Sequence, residues 1–303
     1  MTRPVVVGVD GSPAGLAAAD WGAREALLRD LPLRLVHAWE WQPGDHDPSA
    51  SVEGARLWSE GVAQKVTEQL RRRYPDLDVW ATRIIGPPRD VLCRAAKDAE
   101  VLVIGTVSAG RLAGFLLGSV ATAVVARAAA PVVLVRAGAQ EGEAASESGA
   151  EPPAPRPPAR ADAPVVLGLD LSHPGDAVIT FAFQAAAVRA APLVVVHGWN
   201  PLPYSVYGLG ARLTFGADLG AKRRESVSRT LQPWRERYPG VEVSTQAVVG
   251  EPARHLLDAA ARAALVVLGR HRRTKLPSPP HIGHITHAVL HHCPAPVAVV
   301  PHG

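Results

Sequence analysis

The chain has 303 residues, of which 47% are apolar and 20% are charged. This length is roughly that of two ordinary domains, and the apolar content excludes global disorder because each half can bury its own core. The only cysteines, Cys93 and Cys293, lie in different halves of the chain. They exclude a disulfide-rich secreted fold and favour a reducing, cytoplasmic location.

The predicted secondary structure alternates between strands and helices. Short, continuous apolar runs are typical of strands buried on both faces, and Ala-rich segments of helical length lie between them. Ser12 is the expected N-cap of the first helix, with Pro13 in its first turn. In the first half we predict strands at 4–9, 33–38, 101–104 and 132–135, and helices at 14–28, 53–73, 87–99 and 119–129.

The second half of the chain repeats the first. VVVGVDGS at 5–12 recurs as VVLGLDLS at 165–172, HAW at 37–39 as HGW at 197–199, and VLVIG at 101–105 as LVVLG at 265–269. We therefore predict a tandem duplication of one α/β domain, a doubly wound open parallel sheet of the Rossmann-like type. The domains are expected at 1–136 and 164–303, joined by a Pro/Ala-rich linker at 137–163.

Residues 112–126 form the most membrane-like stretch, but they are too few to span a bilayer. The stretch is free of charge and is closed by Arg127. A membrane-spanning helix needs about 20 apolar residues, so we expect no membrane partner.

The loop that follows the strand at 101–104 is the most informative segment for function. It begins at Gly105 and ends at Gly118-Ser119, where Ser119 is placed to cap the next helix. Glycines let a bulky anion approach the backbone, and a helix N-terminus offers free N–H groups. Arg111 adds a charge suited to a phosphate. The loop contains neither GxGxxG nor GxxxxGK[S/T]. Glycines that serve only tight turns and helix packing are an equally good interpretation.

These motifs resemble a tandem universal stress protein, and the resemblance covers the whole chain apart from the linker. It rests on VVVGVDGSPAG, HAW, the Gly86-Pro87-Pro88 turn, VLVIGT, LLGSVATAV and APVVLV. The family is adenine nucleotide alpha hydrolase-like in fold. Its ATP-binding pattern has glycines at positions filled here by Gly105 and Gly118, with Ser119 after the last. Ser108 replaces the remaining glycine, and unlike glycine it does not tolerate positive φ.

The resemblance implies that ATP, with Mg²⁺ as an accompanying ion, is held by the first domain. Asp10 is expected near the ribose or a metal-bridged phosphate, and the backbone of Ala38 at the adenine edge. A simple helix-capping role for Asp10 remains an alternative. The full set of expected nucleotide-binding residues is Asp10, Ser12, Ala38, Gly105, Ser108, Gly110, Arg111, Gly118, Ser119 and Val120.

The corresponding loop of the second domain is altered. Asp170, Gly269 and Gly283 are kept, which makes them a candidate second site, but Arg272 and His284 replace a glycine and the serine. We therefore predict one nucleotide-binding domain and one divergent domain. In the second domain, the predicted helix after this loop carries histidines at 284, 287 and 291. We interpret them as a solvated or interface face of the helix rather than as a metal site.

The sequence as a whole indicates an ATP-binding stress-response regulator with at most weak ATPase activity, because no catalytic constellation is readable. The alternatives are an ATP-dependent hydrolase on a related fold and a dimerisation module that has lost nucleotide binding. Self-association is expected through the strands that end each domain, 132–135 and 297–300. The net charge of +4 comes with no recognition motif, so nucleic acid is not an expected partner.

Overall fold

The computed structural model describes residues 2–40, 52–107, 117–137, 163–199, 212–272 and 281–303, with only the backbone of 52–60 and 212–219. The predicted site residues Ser108, Gly110 and Arg111 lie outside these ranges, as does most of the predicted linker. The chain divides into two compact units, 1–156 and 157–303. Among the described helices, none combines the length and the hydropathy needed to cross a bilayer.

The first unit is a five-stranded parallel sheet with helices between the strands. The strands follow the order β3-β2-β1-β4-β5. The order reverses between β1 and β4, so the carboxyl ends of these two adjacent strands form the switch point. The elements are β1 (Val5–Gly8), α1 (Pro13–Arg29), β2 (Leu33–Trp39), α2 (Val52–Arg73), β3 (Val79–Ile85), α3 (Pro88–Ala95), β4 (Val101–Thr106), α4 (Ser119–Arg127) and β5 (Val132–Arg136).

The second unit repeats this arrangement, with the parallel order β8-β7-β6-β9-β10. The predicted doubly wound α/β fold, built twice, is confirmed. The elements are β6 (Val165–Gly168), α5 (Asp176–Val188), β7 (Leu193–Trp199), α6 (Arg212–Arg237), β8 (Val243–Val249), α7 (Pro252–Ala260), β9 (Leu265–His271), α8 (His284–His292) and β10 (Val297–His302).

The central strands are buried on both faces, which explains their continuous apolar sequences. Every valine of β1 is fully buried, as are Val101, Leu102 and Val103 of β4. The outer strand β3 is only partly buried and reads VWATRII, with polar residues between the apolar ones. Parallel sheets covered by helices on both faces require this pattern, because the central strands have no face turned to water.

Helix α1 begins and ends where the sequence predicts. The Oγ of Ser12 accepts a hydrogen bond from the Gly15 N–H at 3.1 Å, and Pro13 is the first helical residue. At the other end, Asp30 adopts a left-handed conformation with φ 53°. Inside the helix, fully buried Glu25 pairs with Arg29 at 2.6 Å. The cap, the proline and the end turn fix the helix register on the sheet.

The first turn of α1 lies directly against the backbone of β4, at Gly105. A Cβ on Gly105 would overlap the carbonyl group of Ala14 and would lie 2.8 Å from the Gly15 nitrogen. These are backbone atoms, which cannot turn away as a side chain can. Gly105 is therefore required by the packing of α1 on β4, which gives this residue a helix-packing role whether or not it also contacts a nucleotide.

We predict that Gly105→Ala lowers the free energy of unfolding by about 1–3 kcal/mol, because the added methyl group forces α1 away from β4. Urea denaturation measures this change. Gly118→Ala is the matched control, since a Cβ at Gly118 meets no atom of the part of the chain that the structure describes within 4 Å. Equal stability of the two variants would contradict the packing role of Gly105.

Candidate functional site

Asp10 and Ser12 form a braced turn at the carboxyl end of β1. The Oδ1 of Asp10 accepts hydrogen bonds from the Ser12 N–H at 3.0 Å and from the Ser12 hydroxyl at 2.6 Å. Gly11 between them has φ +82°, a conformation that favours glycine. Ser12 is thus the helix cap, and Asp10 holds Ser12 in place by accepting its backbone and hydroxyl hydrogen bonds. Asp10 is exposed, and its Oδ2 makes no hydrogen bond or ion pair with the described residues.

His37 fixes the end of β1 against β2. Its Nδ1–H donates to the carbonyl oxygen of Val9 at 2.7 Å, and the side chain is only 5% exposed. Ala38 follows it and is half-buried. The second domain has the same bond, from His197 to the carbonyl oxygen of Leu169 at 2.9 Å. The histidine of the HAW motif is therefore a structural brace that places Asp10 and Ala38 on neighbouring strand ends.

Gly118, at the N-terminus of α4, is exposed to solvent. Gly118 is the N-cap, with φ −60° and no side-chain capping bond, and Ser119 and Val120 are the first two helical residues. The prediction that Ser119 caps the helix is therefore wrong, because the cap lies one residue earlier. The first N–H groups of a helix have no partner within it and attract anions. No described residue lies within 4 Å of a Cβ added at Gly118.

These observations separate the predicted residues of the first domain into two groups. Asp10, Ser12, Ala38, Gly118, Ser119 and Val120 lie at the carboxyl ends of β1 and β2 or at the start of α4. Gly105 lies within β4, under α1. Because the register pairs Gly8 of β1 with Ile104 of β4, the carboxyl ends of these two strands are neighbours. The result is an edge with an exposed carboxylate on one side and a helix N-terminus on the other.

The second domain has corresponding strand ends at this edge, but the side-chain contacts there are different. The Oδ1 of Asp170 accepts from the Ser172 N–H at 2.8 Å, while its Oδ2 lies 3.5 Å from the Nδ1 of His173. Gly269 packs against the ring of His302, whose Nε2 would lie 2.7 Å from a Cβ at Gly269. Gly283, the N-cap of α8, is as open as Gly118.

Three histidines that belong to no sequence motif lie close together at this second edge. The ring centroids of His173 and His271 are 5.0 Å apart, and those of His271 and His302 are 5.5 Å apart. The three residues are far apart in the sequence, so no motif spacing joins them. Aligning the two halves provides the signal, because the counterparts are Pro13, Val107 and Ala137.

The histidines of α8 form a separate group. His287 and His291 contact each other with ring centroids 4.3 Å apart. Burial, and to a lesser extent the neighbouring His291, lower the pKa of His287. Among the described residues, no three His, Cys, Asp or Glu side chains are grouped so that they could hold a metal ion.

Comparison with known proteins agrees with the fold. The model of the universal stress protein family matches residues 1–136 and 163–301. The universal stress protein Rv2005c of Mycobacterium tuberculosis H37Rv is 32% identical over 305 aligned positions, which cover 97% of this chain and 96% of the relative. Another from the same strain, Rv2623, is 30% identical and covers 89% and 86%.

A solved structure shares the whole architecture. A universal stress protein from Archaeoglobus fulgidus aligns over 100% of both chains with a TM-score of 0.69 and 15% identity, a likeness of fold alone. The family model matches the chain twice, and the mycobacterial relatives are similar to it over nearly the full length. This chain belongs to the universal stress protein family, with the family's domain present twice.

Proposed function

We propose that the protein is a cytoplasmic regulator of the stress response that binds ATP, with Mg²⁺, in its first domain. One contrast carries the proposal. Asp10 leaves its Oδ2 without a described partner, whereas the Oδ2 of Asp170, its counterpart, faces His173 at 3.5 Å. A carboxylate oxygen at a strand end is a suitable ligand for a Mg²⁺ ion that bridges phosphates. The first domain therefore offers such an oxygen, and the second places an imidazole next to it.

The N-terminus of α4 supports the same assignment. Gly118 is open to solvent and carries no side-chain cap, so the N–H groups of Ser119 and Val120 are suited to phosphate oxygens. At the corresponding position the second domain has His284, the first residue of α8, whose side chain is larger than that of serine. The backbone of Ala38, on β2, is the part of the edge assigned to adenine.

A regulatory role fits the chemistry of the described residues better than turnover. Asp10 is held by the cap Ser12, and the buried imidazole of His37 is bonded to the backbone. The Ser12 hydroxyl that donates to Asp10 is occupied as the helix cap, and the Nδ1 of His37 is occupied by a backbone carbonyl, so we propose at most weak ATPase activity. Self-association through the domain-ending strands β5 and β10 is part of the same proposal.

ATP is expected to stabilise the protein, and loss of the Asp10 carboxylate is expected to remove the effect. At a concentration 100 times its Kd, a ligand adds about 2.7 kcal/mol to the free energy of unfolding. Thermal-shift titration with Mg²⁺-ATP measures this for the wild type, Asp10→Ala and Asp170→Ala. We expect the shift to vanish in Asp10→Ala and to persist in Asp170→Ala. No shift for the wild type at millimolar ATP would defeat the proposal.

Substitution at Gly118 tests the phosphate end of the site without disturbing the fold. Gly118→Asp places a carboxylate where the phosphates are expected, at an exposed position with an ordinary φ of −60° and with no described residue within 4 Å of the added Cβ. We expect ATP affinity to fall at least about tenfold, or about 1.4 kcal/mol, by charge repulsion. Calorimetry measures the loss, and Gly283→Asp, at the equally open counterpart, is the matched control.

The same pair of variants distinguishes the hydrolase alternative. Steady ATP turnover by the wild type, well above that of Gly118→Asp, would favour an ATP-dependent hydrolase. An equal loss of affinity in Gly118→Asp and Gly283→Asp would contradict the assignment of the nucleotide to the first domain.

A further inference from the structure

A shifted proline changes the first helical turn of the second domain. In the first domain Pro13 directly follows the cap Ser12 and starts the helix. In the second, Pro174 lies one position further along, and the residue before a proline is disfavoured in helical conformation. His173 therefore does not begin a helix, and α5 starts only at Asp176, with Gly175 as its N-cap.

The missing helical turn leaves a cleft that histidines line. The first domain fills the corresponding space with the first turn of α1, packed on Gly105. In the second domain the ring of His302 lies against both Gly269 and Gly175. The cleft has a volume of about 550 Å³ and opens to solvent. It is lined by His173, Pro174, Gly175, Asp176, Ala177, His271, Arg272, Pro301, His302 and Gly303.

The polar groups of the cleft come from every element around it. His173 belongs to the loop after β6, His271 ends β9, and His302 ends β10. The backbone N–H of Arg272 donates to the carbonyl oxygen of His302 at 2.7 Å, which ties the ends of β9 and β10 together. At the rim, the N-terminus of α5 begins with Asp176 and has no side-chain cap.

Charged and titratable groups surround His302 in the cleft. Burial is the main cause that lowers the pKa of His302, and His271, His173 and Arg270 add to it, while Asp170 opposes them. With neutral imidazoles, the charges of Asp170 and Asp176 offset those of Arg270 and Arg272. Each proton bound by a histidine adds one positive charge, so the cleft becomes cationic only as the pH falls.

We propose that this cleft binds a doubly charged tetrahedral oxyanion, of the phosphate and sulfate type, and takes up protons as it does so. Imidazolium N–H groups, the Arg272 guanidinium and the N–H groups at the start of α5 are the donors such an anion requires. The anion supplies the counter-charge that allows neighbouring imidazoles to be protonated together. The site belongs to the second domain and does not rest on ATP binding by the first.

Sulfate is the probe that tests the proposal, because its own charge does not change across the titration range of histidine. Calorimetry in the Gly118→Asp protein, in which the first domain disfavours anions, measures its affinity at about pH 7.5 and about pH 5.5, at constant ionic strength. We expect at least about tenfold tighter binding at the lower pH, with proton uptake seen as a dependence of the heat on the buffer. Equal affinity at the two pH values would overturn the proposal.

Asparagine variants test which histidines bind the anion. His271→Asn and His302→Asn are expected to abolish the pH dependence, whereas His292→Asn, at the exposed end of α8, is the matched control and should retain it. Since His302 packs against Gly269, its variant needs a check of folding by circular dichroism. Unchanged sulfate binding in both cleft variants would overturn the assignment.

A measurement on the wild type avoids the folding question. In NMR titrations, sulfate is expected to raise the pKa of the His271 and His302 imidazoles and to leave that of His292 unchanged, and a uniform response would contradict the site. Comparing orthophosphate with a sugar phosphate then distinguishes the source. Similar affinities indicate recognition of the oxyanion alone, and a tighter sugar phosphate indicates that the rest of the cleft contributes.

Discussion

The first turn of α1 lies on the bare backbone of Gly105, and the geometry of the candidate site depends on this contact. Because no side chain separates the two, the carbonyl group of Ala14 packs directly on β4. The helix is thereby fixed at its start, where the Ser12 hydroxyl accepts from the Gly15 N–H and donates to the Asp10 carboxylate. The position of an exposed carboxylate thus follows from helix–strand packing.

The second domain shows what happens when this contact is lost. Its glycine is kept at 269, but the proline has moved one position along the chain, and the turn that would cover Gly269 is not helical. The ring of His302 covers the glycine instead. The displaced proline, together with the histidines at 173 and 302, accounts for a later helix start, a solvent-open cleft and an Asp170 that faces an imidazole. The two copies share a sheet and differ at the edge where ligands are expected to bind.

The fold could be predicted from the sequence because its signals are local and repeated. Buried strands such as 101–106 show as apolar runs, and Ser12-Pro13 marks a helix start. The site was harder to predict because it depends on contacts between distant segments. Spacing alone gives Gly105 and Gly118 the same role, yet one packs under a helix and the other is exposed to solvent. The histidine cleft joins three strand ends, so no local motif marks it.

The two proposed sites respond to different variables, for a reason that lies in their side chains. The proposed nucleotide site uses the carboxylate of Asp10, whereas the proposed anion site uses imidazoles, whose ordinary pKa lies close to neutral pH. Burial and the positive groups around His302 lower the pKa of His302, so an anion in the cleft is expected to favour its protonated form. Under these two proposals, duplication of one fold has left one edge suited to a nucleotide and another suited to an anion that is taken up with protons. Each proposed binding response depends only on the residues of its own sheet edge, so neither requires contact between the domains.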